Sequence, residues 1–258
     1  MNRPESDFDQ LPPEARDQLA SLARRFRGAD NIGVQILNAV GGQADRLVDR
    51  LPDSVKDQLG DATLRALTVA NETAHMSRKR GPGDGRDWLN TALATGLGAA
   101  GGFGGLPTAL AELPVTTTIL LRAIQGIAAE HGFDTDNPLV RMQAIQVFGA
   151  AGPMARAQSA DLAFLSARMT LTGAALHALI ARVSPHLARV LGQKLAAQTV
   201  PVIGAAAGAA TNFAYTSYYQ DMARVYFGLR RLSQDLDVET ERLLQEFRLL
   251  VIPPKPIS

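Results

Sequence analysis

Trp88–Ala111 (WLNTALATGLGAAGGFGGLPTALA) and Leu195–Gln220 (LAAQTVPVIGAAAGAATNFAYTSYYQ) are two long stretches of this chain that contain no charged residue. Both consist mainly of Gly, Ala, Thr and Pro. Residues without a large side chain allow two helix backbones to approach closely, and glycines one helical turn apart occur in both stretches, at Gly98 and Gly102 and at Gly204 and Gly208. The two stretches therefore predict tightly packed helices at the centre of the fold.

The first stretch is long enough to cross a membrane but has the wrong composition for it. A straight helix of this length would span about 36 Å, more than the hydrocarbon thickness of a bilayer. Its leucines and its phenylalanine favour insertion by about 3 kcal/mol, which its glycines, threonines, Asn90 and Pro107 offset. Two interpretations follow: the buried centre of a soluble bundle, or a hairpin that enters the membrane interface.

Helical periodicity occurs along almost the whole chain, and no run of alternating β-branched residues predicts a strand. We therefore predict an all-α, multi-helix bundle with a central Gly/Ala-rich helical hairpin. The hairpin has its turn at Gly101–Pro107 and resumes as a helix at Pro114, which ends at Gly132. The other helices are predicted from Pro12–Pro13 to Arg27, at 31–50, from Pro52 onward, from Asp136, Asn137 and Pro138 to Phe148, from Ser159 or Asp161 to Val183, from Pro185 onward, at 201–232 and at 238–250.

Lys79–Arg86 (KRGPGDGR) predicts an internal boundary, because three glycines and a proline in eight residues favour a loop. It divides an N-terminal helical arm, residues 1–80, from a core of residues 87–250. We expect the arm to pack on the core, so that the two form one structural unit.

Composition excludes several classes of function. Cysteine is absent, which rules out disulfides and thiolate chemistry, and the net charge of +1 gives no field that would attract nucleic acid. Aromatic residues make up 5% of the chain, too few for base-stacking platforms. The polar, acidic N-terminus lacks the features of a secretory signal, so we expect the cytoplasm, with a peripheral position on the inner face of the membrane as an option.

No catalytic constellation is present in the sequence. The histidines form no metal-binding motif, no GxSxG element occurs, and GAAGGFGG lacks the Lys-Ser/Thr ending of a phosphate loop. We therefore predict no catalytic residue, no cofactor and no metal. Tyr215, Tyr219, Met222, Tyr226 and Leu229 recur at helical spacing, and we assign this stripe to core packing with its hydroxyls at a polar rim.

Arg122 lies in an otherwise apolar helix, so its guanidinium must reach solvent or pair with a carboxylate. Glu112 is too far along the same helix, which leaves Asp161 and Asp221 as candidate partners. Arg224, Arg230 and Arg231 are expected near the C-terminal end of their helix, where its dipole favours cations, and a basic patch that binds a partner is the alternative.

Two segments resemble the EcsC family. GFGGLPTALAELPVTTTILLRAIQGIAAEHGFD is similar to the central signature of that family, and QTVPVIGAAAGAATNFAYTSYYQDMARVYFGLRRL is similar to its C-terminal signature. Weaker similarity extends to NIGVQILNAVGGQADRLVDRLP. The family takes its name from a protein encoded beside an ABC transporter, and some relatives carry a staphylolytic-protease label, for which this sequence offers no metal or nucleophile motif.

The resemblance implies structural or binding roles at the positions that match the signatures: Glu112, Pro114, Arg122, Gly132, Pro201, Gly204, Gly208, Asn212, Arg230 and Arg231. Three functions remain open. The first is a non-enzymatic helical module that associates peripherally with membrane lipid or with a membrane transport or secretion partner. The second is a soluble bundle that encloses an apolar ligand such as a lipid, with Arg122 or the tyrosines at the pocket mouth. The third, a peptidase, has little support.

Overall fold

The computed structural model describes residues 11–39, 53–80, 87–150, 162–166, 173–198 and 204–252. These residues form eight helices and contain no strand, which confirms the predicted all-α bundle. The helices are α1 (Pro13–Ala39), α2 (Asp53–Arg80), α3 (Asp87–Glu130), α4 (Pro138–Val147), α5 (Ala163–Ser166), α6 (Gly173–Gln198), α7 (Gly204–Leu236) and α8 (Thr240–Val251).

The long helices α3 and α7 form the centre of the bundle and pack against each other more extensively than any other pair. Helix α2 lies on α3 and also contacts α6, whereas α1 lies on α7. Helix α8 packs on both α1 and α7. The largest fully buried side chains come from most of these helices: Leu19, Leu67, Leu113, Leu121, Ile124, Ile127, Ile145, Phe148, Tyr219, Tyr226, Phe227 and Phe247.

Helix α3 is continuous from Asp87 to Glu130, so the predicted turn at Gly101–Pro107 and the predicted new start at Pro114 are both wrong. Glycine makes a helix less favourable by about 1 kcal/mol and proline removes one backbone hydrogen bond, but neither forces the chain to turn. Packing of α3 against α2 and α7 provides the compensating stabilisation.

Helix α3 is nevertheless bent, because it reaches α7 at two places that a straight helix could not both contact. The Asn212 amide of α7 binds the backbone oxygen of Ala94, and the Phe133 ring, just beyond α3, lies 5.4 Å from the Phe227 ring between centroids. Asn212 and Phe227 are about 22 Å apart along α7, whereas Ala94 and the end of α3 would be about 54 Å apart in a straight helix. The side chains of these residues are too short to make up the difference between the two separations, so α3 cannot be straight.

The sequence between these two contacts contains features that bend helices. Pro107 and Pro114 both lie inside α3, where a proline ring clashes with the preceding turn. Immediately afterwards, the Thr117 hydroxyl donates to the Leu113 carbonyl at 2.7 Å and the Thr118 hydroxyl donates to the Pro114 carbonyl at 2.8 Å. Hydroxyl bonds of this kind compete with the helical ladder and favour curvature.

Two other predicted helix boundaries are also wrong. Helix α1 runs through Gly28, where we predicted separate helices, and α6 runs through Pro185, where we predicted a new start. In each case the buried apolar stripe continues on both sides of the interruption, with Phe26 and Ala29 around Gly28 and with Val183 and Leu187 around Pro185. Continued burial outweighs the local cost of one unfavourable residue.

Several predicted helix ends are confirmed. The Asn137 side chain accepts a hydrogen bond from the Leu139 amide at the start of α4, with Pro138 at its first position. Gly132 follows α3 at φ 80°, and the amides of Gly132 and Phe133 bond to the carbonyls of Ala129 and Ala128 in a Schellman motif. Of the predicted loop Lys79–Arg86, the first two residues end α2 and the other six lie outside the described residues.

Two glycines should respond in opposite directions to the same substitution. Gly60→Ala is expected to stabilise the protein by up to about 1 kcal/mol, because Gly60 lies within α2 and an added Cβ would meet nothing within 4 Å. Gly132→Ala is expected to destabilise it by about 1–2 kcal/mol, because an L side chain is strained at positive φ. Thermal or urea unfolding of both variants measures the difference, and a destabilised Gly60→Ala would contradict the exposed position of Gly60 in α2.

Candidate functional site

A buried hydrogen bond joins the two uncharged stretches. The Asn212 Nδ2 in α7 donates to the Ala94 backbone oxygen in α3 at 2.7 Å, and both residues are almost fully buried. Ala94 belongs to the first stretch and Asn212 to the second. The hydrogen bond therefore makes the two stretches neighbours in the fold although they are far apart in the sequence.

The predicted tyrosine stripe lies in the core, and Tyr215, Tyr219, Met222, Tyr226 and Leu229 are all buried. The expected polar rim is wrong, because the hydroxyls also point into the interior. Tyr215 donates to the Val190 carbonyl at 3.1 Å, and Tyr226 lies 3.4 Å from the Gln146 side-chain oxygen. Burial raises the pKa of Tyr226 to about 12, so its hydroxyl is neutral at physiological pH.

A partly buried ion cluster lies between α1 and α7. Arg25 of α1 lies 2.7 Å from the Asp221 carboxylate of α7, and Arg224, one turn further along α7, lies 3.5 Å from the same oxygen. Burial raises the pKa of Asp221, although the hydrogen bond and the charge of Arg25 act in the opposite direction. Burial likewise lowers the pKa of Arg224. Desolvation therefore outweighs pairing for Asp221.

Arg122 of α3 reaches α2. Its guanidinium donates to the Ser77 hydroxyl at 3.1 Å, and that hydroxyl in turn donates to the Ala74 carbonyl at 2.8 Å. Asp221, one of its two predicted partners, lies in the cluster with Arg25, and Asp161, the other, lies outside the described residues. Ser77 carries no recognisable sequence signal, because a lone serine near the end of a helix is ordinary.

Two polar side-chain contacts at the same junction connect α2 with the segment that follows α3. The His75 ring nitrogen Nε2 lies 3.3 Å from an Asp136 carboxylate oxygen, and the Arg141 guanidinium lies 3.5 Å from Glu72. Asp136 and Glu72 are largely exposed, so each pair contributes little to stability. These contacts position α4 against α2 and form no arrangement of nucleophile and base.

The remaining predicted site residues are spread along α3 and α7 and do not converge. Arg230 lies over the Tyr226 ring at 5.4 Å, and Arg231 binds Asp235 one turn away at 2.9 Å. The expectation that Arg224, Arg230 and Arg231 face the helix dipole is wrong, because α7 continues to Leu236 and its last turn contains no basic residue.

The other matching positions lie in or beside the uncharged stretches. Pro114 is exposed within α3, Gly204 is the first residue of α7, and Gly208 follows one turn later. Glu112 lies on α3, but its side chain is outside the described residues, as is Pro201 altogether.

Neither metal binding nor a membrane crossing is evident in the part of the chain that the structure describes. No three acidic or histidine side chains there are close enough to hold a metal ion. Over the same residues, no helix combines the length and the apolar character that a bilayer crossing requires.

Asn212→Ala is expected to destabilise the protein by about 1–3 kcal/mol, because it removes the buried amide that binds the Ala94 oxygen. Phe213→Ala is the matched control, because Phe213 is the next residue along α7 but is half exposed, so its loss should cost little. Urea unfolding compares the two. Equal stability of the parent and Asn212→Ala would show that the hydrogen bond does not hold α3 and α7 together.

Asp221→Asn is expected to raise the melting temperature at pH 7. The folded-state pKa of Asp221 is raised above its ordinary 3.8, so ionised Asp221 disfavours the fold at pH values above the folded-state pKa. This cost disappears at pH values below the ordinary pKa of an aspartate, because Asp221 is then protonated in both the folded and the unfolded state. The parent and the variant should therefore melt alike near pH 3. Asp235→Asn, which removes an exposed pair with Arg231, should change little. A lower melting temperature for Asp221→Asn at pH 7 would show that the Arg25 hydrogen bond outweighs desolvation.

Residues 35–232, more than three quarters of the chain, match the EcsC protein family. The match includes the C-terminal end of α1, all of α2 to α6 and most of α7, and therefore both uncharged stretches and the hydrogen bond between them. No curated protein and no solved structure gives a significant match. The resemblance drawn from the two signatures is confirmed, and the chain belongs to the EcsC protein family.

Proposed function

We propose that this chain is a non-enzymatic helical module that associates peripherally with a membrane, or with a transport or secretion protein in that membrane. Contact is made by the region in which the two uncharged stretches meet. The observation that supports this proposal is the hydrogen bond between Asn212 and Ala94, which joins the stretches into one unit.

Burial alone does not account for the missing charges. Charged residues make up 20% of the chain, so each stretch would be expected to contain about five. Some positions in the stretches are exposed, namely Ala92, Leu93, Gly96 and Phe213, yet none of them is charged. An exposed surface without charge suits a lipid interface or an apolar protein surface.

The apolar-ligand hypothesis has less support. It places Arg122 or the tyrosines at the mouth of a pocket. Tyr215, Tyr219 and Tyr226 are packed in the core, and the Arg122 guanidinium donates to the Ser77 hydroxyl of α2. Native mass spectrometry tests it directly, since a co-purifying lipid would favour ligand enclosure.

Liposome flotation is the test of membrane association. The purified protein is expected to float with phosphatidylcholine vesicles and to do so similarly at low and high salt, because apolar contact is not screened. Carbonate is expected to release the protein from the membranes of expressing cells, as it does peripheral proteins. Failure to float with any lipid composition would contradict direct lipid binding.

A matched pair of charge insertions locates the contact. Phe213→Glu should abolish flotation, because it places a charge at an exposed position of the uncharged region. Val69→Glu places the same charge at a comparably exposed position of α2, between Arg65 and Glu72, and should leave flotation unchanged. Equal loss in both variants would indicate a nonspecific effect of charge.

A further inference from the structure

The exposed side of α2 carries more large apolar side chains than that of any other helix the structure describes. Leu64 is 41% exposed, Val69 57% and Met76 49%. Thr68 and Thr73 are exposed as well, but their hydroxyls donate within the helix, to the carbonyls of Leu64 and Val69, each at 2.9 Å. These two hydroxyls therefore keep their hydrogen bonds when another protein surface covers this side of α2.

One basic and one acidic residue lie in the middle of the same side. Arg65 and Glu72 are seven residues apart, about two helical turns, so they project in nearly the same direction, with Val69 between them. Both are exposed, and Glu72 also lies 3.5 Å from Arg141 of α4. The residues of this surface, which we call the α2 face, are Asp61, Leu64, Arg65, Thr68, Val69, Glu72, Thr73 and Met76.

The charges on the α2 face are complementary to a second copy of the same face. When two α2 helices pack antiparallel about a two-fold axis between positions 68 and 69, Arg65 of each copy lies opposite Glu72 of the other. Asp61 then lies opposite Met76, so it meets no acidic residue of the other helix. A parallel pair would instead place Arg65 against Arg65 and Glu72 against Glu72, and an antiparallel shift by one turn would separate both ion pairs. A single register therefore forms both pairs.

We infer that the chain forms a symmetric dimer in which the α2 faces of two copies pack antiparallel in this register. Residues 57–80 of the two helices then overlap, about 36 Å of helix, so most of α2 takes part. Val69 lies beside the axis, where the apolar contact is made, and one ion pair lies on each side of it. Exposed ion pairs contribute little affinity, but they exclude registers that bring like charges together.

A second copy fits the α2 face better than a lipid surface or a nucleic acid does. Arg65 and Glu72 flank Val69, so insertion of the apolar side chains among acyl chains would remove both charges from water. The face contains acidic as well as basic residues, so it does not attract phosphate. A second copy supplies an acid for Arg65 and a base for Glu72 at the required spacing. Glu72 can accept this guanidinium as well as that of Arg141, because its side chain is 59% exposed and a carboxylate binds more than one donor.

Sedimentation velocity of the full chain tests the dimer, which goes beyond the proposed function and does not depend on it. Concentrations up to about 0.5 mM are needed, because a contact between two helices is small for a stable interface. The parent is expected to shift from monomer to dimer over this range. Arg65→Glu and Glu72→Arg each place like charges opposite one another on both sides of the axis, and each should raise the dissociation constant about tenfold or more. The double variant Arg65→Glu/Glu72→Arg exchanges the signs of both pairs and should recover most of the affinity of the parent.

The control is Arg27→Glu, which makes the same charge change at an exposed position of α1 and should leave the dimer unchanged. Circular dichroism melts confirm that each variant is folded. High salt should weaken the parent dimer and strengthen that of Arg65→Glu, because it screens attraction in the first and repulsion in the second. A parent that stays monomeric over the whole range overturns the inference. If both single variants dimerise as strongly as the parent, the dimer uses another face, and if the folded double variant does not recover, the antiparallel register is wrong.

Discussion

A buried hydrogen bond from the Asn212 amide to the Ala94 oxygen joins α3 and α7, the two helices that pack against each other most extensively. Apolar contacts between small residues are weakly directional, so they permit many relative positions of two helices. A buried amide is directional, because leaving it without its partner costs about 1–3 kcal/mol. Asn212 therefore selects one position of α7 on α3, and α1, α2 and α8 pack around that pair.

The bend in α3 follows from the same constraint. Ala94 must lie at Asn212 while the end of α3 must bring Phe133 to Phe227, and a straight helix cannot satisfy both contacts. Glycines and prolines lower the cost of curvature in the intervening segment. In this chain a Gly- and Pro-rich composition that is typical of loops bends a helix without ending it.

How far the sequence predicts this structure depends on the kind of signal. The class of the fold, the termination of α3 at Gly132 and the start of α4 at Asn137 follow from periodicity and from residues with a local conformational preference, so they are predictable. The breaks expected at Gly28, Pro114 and Pro185 do not occur, because tertiary burial outweighs a local penalty that the sequence alone cannot weigh against it. Similarly, the C-terminal signature identifies Asn212 as a matching position, but nothing in the sequence identifies the Ala94 oxygen as its partner. A backbone carbonyl carries no sequence signal.

The separation in sequence between Asn212 and Ala94 also has a consequence during synthesis. The two residues are 118 positions apart, so Ala94 leaves the ribosome long before its partner exists. At translation rates of about 5–20 residues per second, the first uncharged stretch must wait about 6–24 s for α7. During that interval the first uncharged stretch lacks the helix against which α3 packs most extensively. The N-terminal half of the chain therefore cannot complete its packing until the last third of the sequence has been synthesised.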